Sequence, residues 1–270
     1  MKTYGVILAA GDSTRFDAEV NKLFYKVNGK ELVLYPVETF LDNNEIDEVL
    51  IVSSKLNKLA LEKLFTEHQS VSIILGGDSR QESEYCALQY LQDKATDSCL
   101  IAIHDAARSF MSSELLTSLV NTAKEHGSAA PYLDNSKFYD IENDEIVTHK
   151  KIVDIQTPQI YKYRELFECY SFLSKNNITG MVDTTESMFN FNKYETQVVR
   201  GEENNLKITY KSDCLGISGG WTPMVHLFTQ SGGKLKFRNN DNVFIPDENK
   251  TPSKQILSLI HISEPTRRST

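Results

Sequence analysis

Three short stretches carry residue types that could handle a phosphorylated ligand. The first is Leu8-Ala9-Ala10-Gly11-Asp12-Ser13-Thr14-Arg15, which runs out of the apolar segment Tyr4–Leu8 and is followed by Lys22. Small residues at a strand end let backbone N–H groups crowd around an anion. Arg15 and Lys22 bring two cations to the same mouth. The spacing matches neither the phosphate loop with its Gly-Lys-Ser/Thr ending nor the dinucleotide G-x-G-x-x-G. The second is Gly76-Gly77-Asp78-Ser79-Arg80-Gln81-Glu82-Ser83, a glycine turn entering a helix, with Ser83 placed to face the same cavity. An ordinary capped turn would read the same way. The third is His104-Asp105-Ala106-Ala107-Arg108. A strand-end Asp beside small residues and Arg suits a metal or ribose contact plus a phosphate contact, or a buried Asp–Arg pair holding a loop.

These clusters need elements to present them. Tyr4–Leu8, Val49–Ser53, Val71–Leu75, Leu100–His104 and Ala129–Leu133 are short Val/Ile/Leu-rich runs without clean alternation, as in parallel strands covered on both faces. Helical stretches separate them at Leu32–Leu41, Asn57–His68, Gln81–Asp93 and Ser113–His126. The alternation predicts a doubly wound α/β fold, mostly parallel and Rossmann-like. Ligands in such sheets bind beyond the carboxyl ends of the strands, where all three clusters fall. Residues 134–151 break the rhythm and read as a hairpin arm with a polar turn, which needs a partner subunit to pack on. Gln156-Thr157-Pro158-Gln159 predicts an extended turn before a helix around Arg164–Leu173. Asp183-Thr184-Thr185-Glu186 predicts a capped helix start, and a strand near Thr196–Val199 leads into Gly201–Thr209.

The chain has 270 residues, 40% of them hydrophobic, and a net charge of −8. That balance argues against a general nucleic-acid or membrane-surface binder, so a polyanionic ligand must be met by a local cationic site. Cys86, Cys99, Cys169 and Cys214 are scattered, as expected of reduced packing thiols. With no signal peptide and no membrane-length apolar run, the expectation is a soluble cytoplasmic protein.

Taken in order, Ala9-Ala10-Gly11 with Arg15 and Lys22, Gly76-Gly77-Asp78 with Arg80 and Ser83, His104–Arg108, Thr157-Pro158-Gln159 and Asn205-Leu206-Lys207-Ile208-Thr209 resemble the cytidylyltransferases acting on 2-C-methyl-D-erythritol 4-phosphate. The resemblance covers about residues 1–213. It implies Mg²⁺-dependent transfer of CMP from CTP to a polyol phosphate, with release of pyrophosphate, in non-mevalonate isoprenoid synthesis. It also implies a homodimer locked by the arm. Arg15 and Lys22 take the catalytic role at the α-phosphate. Ala9, Ala10, Gly11, Ser13, Gly77, Asp78, Ser83, Asp105 and Lys207 bind nucleotide, with Asp105 also near the metal. Arg108, Asn135, His149, Lys150, Thr157 and Asp183 hold the acceptor.

Several positions depart from that family: Ser13 replaces a glycine, Asn21 a proline, Asn135 a threonine and His149 an arm arginine, while Asp183-Thr184-Thr185-Glu186 blurs an acidic run. The acceptor therefore stays open to ribitol 5-phosphate, and a non-catalytic nucleotide-binding module remains an alternative. Beyond residue 213 the text changes. Residues 214–256 resemble a slice of a sarcosine oxidase alpha subunit, too short to bury its own core. Residues 257–270 resemble a translated sequencing adapter, which predicts a chimeric chain with a foreign, disordered tail in place of a last helix.

Overall fold

In the computed structural model the described residues are 1–11, 16, 21–135, 138–140, 145–147, 152–209, 235–238 and 243–246. Strand β1 (Thr3–Ala9) is followed by a 3-10 turn at Lys22–Phe24 and by the small hairpin of β2 (Lys26–Val27) and β3 (Lys30–Glu31). Then come α1 (Leu34–Leu41), β4 (Glu48–Ser53), α2 (Lys58–Leu64), β5 (Val71–Leu75), α3 (Arg80–Tyr90), β6 (Leu100–Asp105), α4 (Ser113–His126) and β7 (Ser128–Asn135). The chain continues through β8 (Phe138–Asp140), β9 (Glu145–Val147), β10 (Ile152–Ile155), β11 (Gln159–Lys162), α5 (Tyr163–Lys175), α6 (Thr184–Asn192) and β12 (Val198–Arg200).

An eight-stranded sheet in the order β10-β7-β11-β6-β1-β4-β5, with β12 beside β7, carries the site. The pairs β1–β4, β1–β6 and β4–β5 are parallel, and Leu8 lies opposite both Val52 and Asp105. The expected mostly parallel α/β fold is what forms. Side chains along β1 alternate between two cores: Ile7 and Ala9 pack with α1 and α4 (Val37, Phe40, Leu116, Leu119), while Tyr4 and Val6 pack with α3 and α5 (Leu88, Leu166, Tyr170). Both faces are buried, which is why these strands read as continuous apolar runs rather than alternating ones. Each fully buried Leu or Ile there contributes about 1.5–3 kcal/mol.

The region after β7 differs from the sequence reading. The stretch after Pro158 is not merely a turn before a helix, because Gln159–Lys162 forms a strand. β11 slots antiparallel between β6 and β7, with Gln159 opposite Ile103 and Ile160 opposite Ala129. Ile160 and Tyr161 are both fully buried, one in each core. Four residues behind a proline show no period, and only the cores on either side of them select a strand. Within the expected arm, β8 and β9 pair antiparallel from Phe138↔Val147 to Asp140↔Glu145, and β10 returns along β7 with Ile152 opposite Asn135.

Residues Met1–Tyr210 form one compact unit, and Lys211–Thr270 a second, in which β13 (Leu235–Arg238) and β14 (Val243–Pro246) pair antiparallel. The described cysteines Cys86, Cys99 and Cys169 are free thiols. No helix among the described residues is long and apolar enough to cross a membrane.

Candidate active site

The first and second clusters meet at the ends of β1 and β5. Gly76 is held by its N–H to Ser53 O at 2.9 Å. A Cβ on Gly76 would lie 2.6 Å from Ser83 Oγ, 2.9 Å from Val52 Cγ1 and 3.2 Å from Ala10 Cβ, so only glycine lets the two loops and Ser83 close together. Ser83 is buried, and its hydroxyl lies 3.5 Å from Gly77 O. Ser79 caps α3 by accepting from Glu82 N at 3.1 Å, and Glu82 reaches back to accept from Asp78 N at 2.7 Å. The capping reading of this turn therefore holds. The exposed Asp78 is presented at the rim by that cap.

The third cluster is the electrostatic centre. Asp105, at the end of β6, accepts from Lys207 Nζ at 2.8 Å and from Arg80 Nε at 3.3 Å, with Arg108 Nε at 4.0 Å. Burial alone would push its carboxyl up, but the charges of Arg80, Lys207 and Arg108 hold it well below the usual carboxylate range. Lys22 joins the group from the 3-10 turn that Asn21 caps, donating from Nζ to Ile208 O at 3.3 Å. Ile208 N in turn bonds Ala107 O at 2.8 Å. The distant segment Asn205–Thr209 thus closes over the end of β6.

A buried clasp sets that geometry. Thr157 Oγ1 accepts from Asp105 N at 3.1 Å and lies 3.0 Å from His104 Nδ1, while His104 Nε2 lies 3.0 Å from Arg108 O. A carbonyl oxygen only accepts, so Nε2 carries the proton and Nδ1 accepts from the Thr157 hydroxyl. Burial lowers the His104 pKa to about 4, which keeps this ring neutral. Asn205 donates to Thr157 O at 2.8 Å, and its own carbonyl accepts from Arg108 Nη1 at 2.7 Å and Gln156 Nε2 at 3.0 Å. Gln156 and Asn205 carry no charge and belong to no phosphate pattern, so the motif reading gave them no role. Their partners lie almost fifty residues away in the chain.

A model of the family described as 2-C-methyl-D-erythritol 4-phosphate cytidylyltransferase (IspD) matches residues 4–217. The chain belongs to this family. It is 33% identical over 219 residues to the enzyme of that name from Petrotoga mobilis, covering 78% of this chain and 94% of the relative. Against the Clostridium tetani enzyme of the same name it is 30% identical over 223 residues, covering 79% and 88%. Among solved structures, the bifunctional IspDF of Campylobacter jejuni superposes with a TM-score of 0.65 at 26% identity, over 78% of this chain and 52% of that one. The Thermus thermophilus enzyme shares the fold at TM-score 0.62 and 23% identity, over 77% of this chain and 93% of that one. The chain is a cytidylyltransferase, one of the nucleotidyltransferases.

For this cytidylyltransferase the fold brings together Ala9, Ala10, Gly76, Gly77 and Ser83 on one side, and Lys22, Arg80, Asp105, Arg108 and Lys207 on the other. Gly11 follows Ala10, and a Cβ on it would meet none of the described residues within 4 Å. Ser13, Arg15, His149 and Lys150 lie outside the described residues, and Asn135 is described only by its backbone pairing. Asp183 caps α6, accepting from Glu186 N at 2.8 Å, as its sequence position predicts. It is close enough to act electrostatically on Arg80 and Arg108. Thr157, expected at the acceptor, is 3% exposed with its hydroxyl spent on His104 and Asp105. It positions the strand end.

Asp105 as a metal ligand fits poorly. Both its oxygens face cations, and no group of three or more His, Cys, Asp or Glu gathers among the described residues. A cavity of about 580 Å³ is lined by residues that include Asp183, Glu186, Glu195, Phe189 and Val198. Three carboxylates repel a phosphate, so the cation cluster is the better nucleotide site.

Proposed function

We propose that this chain transfers CMP from CTP to 2-C-methyl-D-erythritol 4-phosphate. The observation that carries the reading is the gathering of Arg80, Arg108 and Lys207 around Asp105 at the strand ends, with Lys22 on the adjoining Ile208 carbonyl. A phosphate oxygen of the acceptor attacks the α-phosphorus of CTP. The new P–O bond forms as the bond from the α-phosphorus to the bridging oxygen breaks, and pyrophosphate leaves with that electron pair. Such chemistry needs positioning and cations more than covalent help. Lys22 and Arg15 stabilise charge on the α-phosphoryl oxygens. The backbone at Ala9, Ala10, Gly11 and Ser13 cradles the phosphates, while Gly77, Asp78 and Ser83 read cytosine. Asp105 orients the ribose, and Lys207 closes the site. A divalent cation bound with CTP would offset triphosphate charge, and Asp105, already paired with Arg80 and Lys207, would orient the ribose rather than hold that cation.

The acceptor sits between Arg108, Asp183 and the arm, where Asn135, His149 and Lys150 come from a second copy of the chain in a cytoplasmic homodimer. Residues 1–213 make up the catalytic domain, with 214–256 and 257–270 foreign to it. The deciding experiment is pyrophosphate release from CTP and Mg²⁺ by the whole chain and by residues 1–213. Methylerythritol 4-phosphate and ribitol 5-phosphate are offered separately. Turnover with the first establishes the assignment. Turnover with ribitol 5-phosphate alone keeps the chemistry and changes the acceptor.

A further inference from the structure

Glu84 lies one residue beyond Ser83, on the face of α3 that also buries Ala87 and Leu88. It is 1% exposed. A carboxylate in such a place is costly unless fully partnered, and it is. Arg80 Nη1, one helical turn back, lies 2.5 Å from Oε1. Thr184 Oγ1, at the start of α6, donates to the same oxygen at 2.8 Å, and the Tyr170 hydroxyl of α5 donates to Oε2. The other side of the same guanidinium meets Asp105 at the longer distance of 3.3 Å. Arg80 is therefore shared between two carboxylates and held more closely by the one that faces no ligand. Asp105 keeps Lys207 as its nearest cation, at 2.8 Å.

We propose that Glu84 is a positioning residue for nucleotide binding: it draws Arg80 back so that Asp105 and Lys207 keep the geometry that receives the nucleotide. Without the Glu84 charge, Asp105 is the one carboxylate among the described residues still in ion-pair contact with Arg80, with Asp183 acting from further off. Arg80 moves onto Asp105 and competes with Lys207 for the same oxygens. The inference rests on the CTP reading above and deepens it. The motif pattern assigned Glu84 no role, because an acid between Ser83 and Tyr85 reads as helix surface until α5 and α6 are packed over it.

Glu84→Gln keeps the size and can still bond Thr184 and Tyr170, whose hydroxyl oxygen accepts from an amide, but it removes the charge. Calorimetric titration of the full-length protein with CTP is expected to show affinity lowered roughly tenfold or more, as for loss of one charged hydrogen bond, and Tm falls as well because buried Arg80 loses an ion-pair partner. In turnover the loss should appear in the KM for CTP, with the acceptor KM unchanged. Tyr170→Phe removes a bond but keeps the charge, and should lower Tm while leaving CTP affinity within about twofold. Equal CTP affinity in wild type and Glu84→Gln overturns the proposal, as does a Glu84→Gln loss matched by Tyr170→Phe.

If the wild-type protein fails to bind CTP, the functional reading falls, and ¹⁵N NMR of the Arg80 Nε–H decides the positioning separately. Because Nε–H faces Asp105, a signal that shifts in Glu84→Gln with its protection kept or increased supports the tether. One that loses protection or stays unchanged overturns it.

Discussion

Lys207 Nζ lies 2.8 Å from Asp105 Oδ2, although 101 residues separate them in the chain. The contact brings the last strand-end segment of the family match onto the end of β6. It also cancels one charge of a cluster that otherwise has Arg80 and Arg108 facing Asp105. Three cations are thus held at the strand end by one carboxylate of the protein itself.

Asp105→Asn should therefore cost both stability and activity. Removing one partner of a buried ionic group costs about 3–5 kcal/mol, and the Asp105 side chain is only 11% exposed. Its carboxyl is held below the usual range by burial outweighed by three cations. That contribution is present in full above the unfolded-chain value of about 3.9 and is lost as pH falls below it. Thermal melts should show a large gap between wild type and Asp105→Asn at pH 7 that narrows toward pH 3. A gap independent of pH would place the effect elsewhere.

His104 makes a prediction in a different window. Burial lowers its pKa from 6.5 to about 4, so the folded protein resists taking up a proton that the unfolded chain accepts readily. Its contribution is whole above about pH 6.5 and declines by about 1.4 kcal/mol per pH unit down to the folded value. Urea unfolding at pH 7, 5.5 and 4.5 should show this slope in the wild type. His104→Gln should be flatter over the same range.

Gly76 and Gly11 should behave oppositely. A methyl group on Gly76 meets Ser83, Val52 and Ala10 at 2.6–3.2 Å, whereas on Gly11 it meets nothing within 4 Å among the described residues. Gly76→Ala is expected to cost about 1–3 kcal/mol from overpacking and to raise the KM for CTP by parting the two loops. Gly11→Ala should leave Tm unchanged. A neutral Gly76→Ala in melts and kinetics would show that the loops can separate without consequence.

Lys22→Ala tests the catalytic assignment. If Lys22 stabilises charge that develops on the α-phosphoryl oxygens, kcat should fall by about 10²–10³. CTP affinity measured by titration should change far less. A loss carried wholly by KM would make Lys22 a binding residue only. Loss of its bond to Ile208 O should itself cost about 1 kcal/mol of stability.

The sequence alone determined the alternation of strands and helices and the placing of Ala9–Gly11, Gly76–Ser83 and His104–Arg108 at strand ends. Each of these is local: an apolar run, then small residues, then a helix start, readable within a dozen positions. Asp183 could be read as a helix cap for the same reason. Only the tertiary structure decided that Gln159–Lys162 is a strand, because two cores and two neighbouring strands supply the reason for it. Only packing turned Thr157 into a clasp for His104, 53 residues away, and joined Glu84 to Thr184 across 100 residues. Charge and hydrogen-bond partners at such separations leave no period in the chain. They exist only once the burial of both sheet faces has brought the strand ends together.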